Sequence, residues 1–179
     1  MANYMSVPII EEFVMRLREG GSNYLDNMGA MLSIILTYCF PATQGFGVSS
    51  KQNENNNPQF AISRLRFVAP GVWSGFVDHT VILAKNPTDT QQQVLEQLMA
   101  ALDKSRPEKG RCWAILAMDM QLRFYEYHNY LDNENRLRLW APPGVKRSSF
   151  DIEYDDNMID WVFTHMRQHN EPPAQSAIL

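Results

Sequence analysis

Cysteine is scarce in this chain: Cys39 and Cys112 are the two present in 179 residues. Their number excludes a disulfide-dense scaffold and a zinc centre built from paired cysteines. Both sit in apolar runs and read as small buried hydrophobes, with one disulfide as the lesser alternative. Positive charge is not in excess either. Lys and Arg number 16 against 20 Asp and Glu, a formal net charge of −4. That balance argues against a dedicated, strongly basic nucleic-acid binder but leaves room for a local basic groove. No apolar run approaches the roughly 20 residues needed to cross a bilayer. The first eight residues lack the charged start and apolar centre of a secretory signal. The expectation is an intracellular protein, cytoplasmic or nuclear, with no membrane partner. No nucleophile elbow, H-E-x-x-H, P-loop or dinucleotide fingerprint occurs, which removes the common enzyme classes. No internal repeat is present.

What is present suffices for one domain. Hydrophobic residues make up 45% of the chain, enough for a sizeable core. The reading is a single α/β domain over residues 1–170 with a flexible tail over 171–179. Residues 41–58 are polar, glycine-bearing and poor in core formers, and read as a mobile surface loop.

The chain is organised around residues 76–102. Residues 76–85 are rich in β-branched and apolar side chains, as a buried strand requires. Strand alternation predicts that Val77, His79, Val81, Leu83 and Lys85 share one face. Asp78, Thr80, Ile82 and Ala84 then share the other. Pro87 stops the strand, and Thr88 or Asp89 is placed to cap a helix over residues 90–102. Val94, Leu95, Leu98, Met99 and Leu102 recur at helical spacing. Residues 111–118 are almost continuously apolar, as in a central strand covered on both faces. After a turn at 119–121, residues 122–127 form the paired return strand.

Before this core, two helices are expected, capped by Ser6 and Ser22 and stopped by Gly20-Gly21 and Phe40-Pro41. The second is apolar nearly all round, so it is well buried or joins a homodimer. Residues 61–69 alternate, with Leu65 and Phe67 opposite Arg64 and Arg66, and form a hairpin with the core strand through Pro70-Gly71. After the core, short strands are expected over 136–140 and 150–154. A final helix follows, capped by Asp155 or Asp156, with Ile159, Val162, Phe163 and Met166 inward.

A strand ending in Lys85, a helix opening with Gln91, Gln92 and Gln93, an apolar strand, and the run Arg123-Phe-Tyr-Glu-Tyr127 together resemble the core of the PD-(D/E)XK nuclease-like superfamily. More narrowly, they look like fungal proteins in which a degenerate form of that core precedes an "RFYE" strand. The run Tyr154-Asp-Asp-Asn-Met-Ile-Asp-Trp-Val-Phe163 fits the same pattern, and the resemblance covers residues 61–167. It implies a restriction-endonuclease-like core: a mixed central sheet flanked by helices. It also implies a phosphate-facing Lys85 with a helix glutamine, Gln93 or Gln97. The departure is at Leu83, where the family carries a metal-binding acid that helps hold the ion activating water. Asp78 is the only acid in the strand. It lies at an odd offset from Lys85 and roughly 23 Å away at ~3.3 Å per residue, so it replaces that acid only if a bulge intervenes.

The candidate binding cleft is therefore Lys85, Gln93, Gln97, Arg64, Arg66, Arg123 and Tyr125, with Arg111 and Tyr127 as further members of a basic and aromatic set able to meet phosphates or stacked bases. Glu11 and Glu12 read as a solvated helix face. His165 and His169 share a helix face at a spacing usable for metal, without an evident third ligand. His79 is expected to pack within the sheet, and His128 falls in a polar loop. No residue is assigned to a metal and no cofactor is expected. The function expected is non-catalytic binding or interaction on a nuclease-like scaffold, with a protein or nucleic-acid partner. The alternative is an enzyme. It would be a nuclease using Mg²⁺ or Mn²⁺ through relocated carboxylates, or a small-molecule enzyme with a pocket of Trp73, Trp113, Trp140 and Phe124.

Overall fold

A computed structural model describes residues 3–53, 57–69 and 71–174. Helix α1 (Pro8–Glu19) and helix α2 (Tyr24–Cys39) come first. Strands β1 (Phe46–Gln52), β2 (Pro58–Ala69) and β3 (Val72–Lys85) follow. Helix α3 (Gln91–Asp103) then leads to β4 (Arg111–Met118) and β5 (Gln121–His128). Two short strands, β6 (Leu137–Trp140) and β7 (Phe150–Asp151), precede helix α4 (Asp156–Gln168). The strands form one sheet in the order β1-β2-β3-β4-β5-β6, with β7 also pairing β5. Pairing is antiparallel except between β3 and β4, which α3 connects as a crossover. The described residues thus form one α/β domain with a mixed sheet, as the sequence predicts. Among them no helix is long and apolar enough to cross a membrane.

The two faces of the sheet are covered unequally. Helices α1, α2 and α4 bury one face in a large core that includes Met28, Ile35, Ile82, Trp113, Phe124 and Phe163. Helix α3 alone packs the other, joining Val94, Leu98 and Leu102 to Val81, Leu83, Ala114 and Leu116. Strand β4 is buried almost from end to end, which explains its unbroken apolar sequence. Chain reversals follow local chemistry: Pro8 starts α1 and Gly20, at φ 73°, ends it. The hairpin between β4 and β5 places Asp119 and Met120 at φ 52° and 60°, the twist-matched turn that joins antiparallel strands in two residues.

Several expectations are corrected. Residues 41–58 are not a loop throughout: they contain β1, paired with β2 from Phe46 opposite Arg64 to Gln52 opposite Pro58. The tail is tied down at its start, where Glu171 bonds Arg111 and Lys109 and Pro172 is buried. Residues 175–179 lie outside the described residues, as do Pro70 of the expected turn and the Phe67 and Trp73 side chains. Ser6 does not cap α1, because its hydroxyl donates to Asn3 O within a preceding 3-10 turn. Neither Asn23, which stands at the start of α2, nor Asp155, at the start of α4, makes a side-chain cap bond. The expected strand over 150–154 shrinks to two residues.

The largest correction concerns the faces of β3. Ile62 of β2 stands opposite Thr80, yet the next residue, Ser63, stands opposite Asp78. His79 is therefore the extra residue of a β-bulge, which reverses the alternation upstream of it. His79 joins the face covered by α2 and α4, against Phe40 and Phe46. Asp78 turns to the α3 face, where it accepts from the Ser63 hydroxyl (3.4 Å) and from Arg106 N–H (2.7 Å).

Candidate functional site

Lys85 ends β3 on the α3 face and is 3% exposed. Its ammonium donates to Asp89 (2.9 Å), in the turn that follows the strand, and to Gln97 Oε1 (3.0 Å), on the second turn of α3. Asp89 is thereby drawn away from the helix terminus, and Thr90 takes the capping role. Its Oγ1 accepts from Gln93 N–H (3.4 Å) and donates to Gln93 Oε1 (2.8 Å), a reciprocal arrangement of the capping-box kind. Gln93 is consequently exposed and serves the helix end. Only Gln97 of the two candidate glutamines meets Lys85. The bulge at His79 brings Asp78 to the lysine's face, but the aspartate is held at the far end of the strand by Arg106. Leu83, at the position where the resembled family carries its acid, is fully buried against α3.

The cationic candidates do not converge. Arg64 and Arg66 both pair with Glu108, and Arg111 binds Glu171 at 2.6 Å. These three arginines lie at the end of the sheet where β3 and β4 begin. Arg123 lies at the opposite end, opposite Leu116 on the Lys85 face. Burial raises the Tyr125 phenol, and the Arg123 charge partly offsets this. Tyr127 donates to Asp103 at 2.8 Å, and burial with this neighbouring carboxylate holds its phenol protonated. The candidate set thus divides into a Lys85–Gln97–Arg123–Tyr125 group on the α3 face and an arginine group bound to carboxylates elsewhere.

Two open features flank α3. On the β1–β2 side a cleft of about 200 Å³ is lined by Lys51, Asn53, Gln59, Gln97 and Lys104, among others. On the β5–β6 side a groove of about 780 Å³ runs along Leu95 and Met99, with Glu96, Asp103 and Asn133 at its sides. On that same sheet face Leu139 of β6, opposite Tyr125, is 54% exposed.

Among the described residues, the expected aromatic pocket is filled; the Trp73 side chain lies outside them. Trp113 and Phe124 are fully buried core side chains. Trp113 meets Trp140 edge-on, while Trp140, Trp161 and His165 stack with ring planes within 19° of parallel. His165 and His169 stack at 4.0 Å, so their in-plane lone pairs do not converge on one point. Burial, with His169 beside it, lowers the His165 pKa. Among the described residues no group of three His, Cys, Asp or Glu side chains is placed to hold a metal. Glu11 and Glu12 are exposed, with Glu12 paired to Arg16. Cys39 and Cys112 are free and buried, and burial pushes the Cys112 thiol up to about 12, leaving it inert at neutral pH.

Sequence reasoning missed Gln59, Asn53 and Lys51, because the first was placed before the strand and the others inside a loop. The alternation Gln59-Phe-Ala-Ile62 was the available signal: Phe60 and Ile62 face the large core, so Gln59 faces α3. No family model, curated protein or solved structure matches this chain.

Proposed function

We propose that this protein is a non-catalytic interaction module that receives a partner polypeptide on the α3 face of its sheet. The observation carrying this reading is the unequal cover of the two faces. A single helix of 13 residues covers the α3 face, leaving a groove along Leu95 and Met99 and an exposed Leu139 beyond it. Apolar surface of this kind, bordered by polar side chains, is characteristic of docking sites. Glu96 at its side favours a partner segment that carries a basic residue next to its apolar ones, whereas Asp103 is already engaged by Tyr127 and Arg136. Lys85 supports the non-catalytic part of the reading. Its ammonium bonds Asp89 and Gln97 and so braces the strand against the helix. Leu83 takes the place of a metal-binding acid on the resembled nuclease scaffold.

Selection from a random peptide display library tests the proposal. Basic, apolar peptides are expected to be enriched, and their affinity is expected to fall at least tenfold in Leu139→Lys and Met99→Glu. Peptides whose binding ignores both substitutions would place the docking surface elsewhere. Cleavage of DNA or RNA that requires Mg²⁺ or Mn²⁺ and is lost in Lys85→Ala would overturn the non-catalytic reading.

A further inference from the structure

The outer edge of the sheet carries an inference independent of the docking groove. Among the described residues β1 pairs with β2 alone, so its other side is open. We propose that this edge pairs with the same edge of a second copy of the chain, antiparallel about a two-fold axis at Ser49, so that one sheet runs through a homodimer.

The backbone decides which groups the edge offers. Leu65 N–H donates to Gly45 O and Asn53 N–H to Asn57 O, both at 3.0 Å. In an antiparallel ladder such bonds recur at every second residue. Gly47, Ser49 and Lys51 therefore direct their N–H and C=O groups to β2. Phe46, Val48, Ser50 and Gln52 direct theirs outward. Sheet edges are ordinarily protected by bulges, prolines or charges. Here the pairing with β2 runs residue by residue from Phe46 to Gln52, the strand holds no proline, and Lys51 is its one charge.

The sequence of β1 favours its own copy. With the axis at Ser49, all seven residues find partners. Phe46 meets Gln52, Gly47 meets Lys51, Val48 meets Ser50, and Ser49 meets itself. No like charges are opposed, because each lysine stands across from a glycine. Moving the axis to Val48 or Ser50 keeps the bonding groups matched but leaves residues of each strand without a partner. About eight backbone hydrogen bonds form, comparable with the roughly ten of a typical interface. Val48 is half-buried against the large core and gains cover beside Ser50 of the second copy. On that side Gly29, Ala30 and Ser33 of α2 border a groove of about 360 Å³ with Ser50 and Gln52. These small side chains leave room for the incoming strand. An isologous contact of this kind uses both free β1 edges and closes at two copies.

Sedimentation equilibrium of the full chain tests the proposal, and a reversible monomer–dimer equilibrium is expected. Ser50→Pro removes an outward N–H while sparing the β1–β2 ladder, and should weaken dimerisation at least tenfold. Leu139→Lys, at the far edge of the sheet, should leave dimerisation unchanged, and Ser50→Pro should leave peptide binding unchanged, so the two surfaces are tested separately. Cross-linking reads the register and keeps the test decisive if Ser50→Pro disturbs folding. Ser49→Cys sets two thiols across the axis with Cα atoms about 4.5 Å apart, and mild oxidation should give a covalent dimer. Lys51→Cys sets them roughly 13 Å apart, beyond the reach of a disulfide, and should not. Cys39 and Cys112 are buried and do not interfere. A monomer at every concentration, a dimer that ignores Ser50→Pro and is not cross-linked through Ser49→Cys, or growth into larger polymers would overturn the proposal.

Discussion

At the scale of single residues, His79 has the sharpest consequence. Its Nε2 donates to Met166 O (2.9 Å), so Nδ1 accepts a hydrogen bond from the Thr80 hydroxyl (2.7 Å). Burial first, and the Arg64 charge with it, lower its pKa from 6.5 to about 4, although the bond to Met166 opposes the shift. Between those values the unfolded chain holds more protons on this residue than the folded one. Stability from this group is therefore complete above about pH 6.5 and is lost as pH falls towards 4, by about 3 kcal/mol in all. Urea unfolding of the protein and of His79→Gln from pH 7 to 4 checks this: the difference between the two should shrink on acidification. Lys85 offers a second expectation. Lys85→Met leaves Gln97 Oε1 without its strongest donor and Asp89 without its counter-ion, and should cost about 1–3 kcal/mol, read by guanidinium unfolding. Lys85, Gln93 and Gln97 were singled out in the sequence, but that Gln97 rather than Gln93 meets the lysine depends on how α3 packs on β3. The fate of the arginines was not legible, because their carboxylates, Glu108 and Glu171, are distant in sequence and nothing local announces them.

At the scale of elements, the sequence located all four helices and the central strands, since long periodic patterns dominate there. Capping was harder to read. Ser6 and Asp89 were reasonable caps by residue type, yet each found a stronger partner: the Asn3 carbonyl and the Lys85 ammonium. Thr90 is the cap that remains for α3, and Thr90→Ala should destabilise the protein by about 1 kcal/mol in thermal or urea unfolding. Strand β1 was missed for a different reason. Gly47, Ser49, Ser50, Lys51 and Gln52 have little preference for a pleated surface, and at the sheet edge they remain largely exposed. Their strand character comes from pairing with β2, a tertiary effect that composition does not carry. The bulge at His79 was equally hidden, and a strict period of two put His79 and Asp78 on the wrong faces.

At the scale of the whole molecule, three helices on one face and one on the other make the sheet an asymmetric partition. The closed side is a packed core. The open side holds the groove along Leu95 and Met99 on one flank of α3 and the smaller cleft beside Gln59 and Gln97 on the other. The closed side also sets an order of events during synthesis. Helix α2 is finished at Cys39, but its partner α4, which supplies Phe163 against Phe40 and Arg167 to the Cys39 carbonyl, begins only at Asp156. At translation rates of roughly 5–20 residues per second, on the order of ten seconds pass between them. Through that interval the nascent chain carries the side chains destined for the largest core without their final cover. A chain ending before the last helix would leave Phe40 without the Phe163 ring and the Cys39 carbonyl without Arg167.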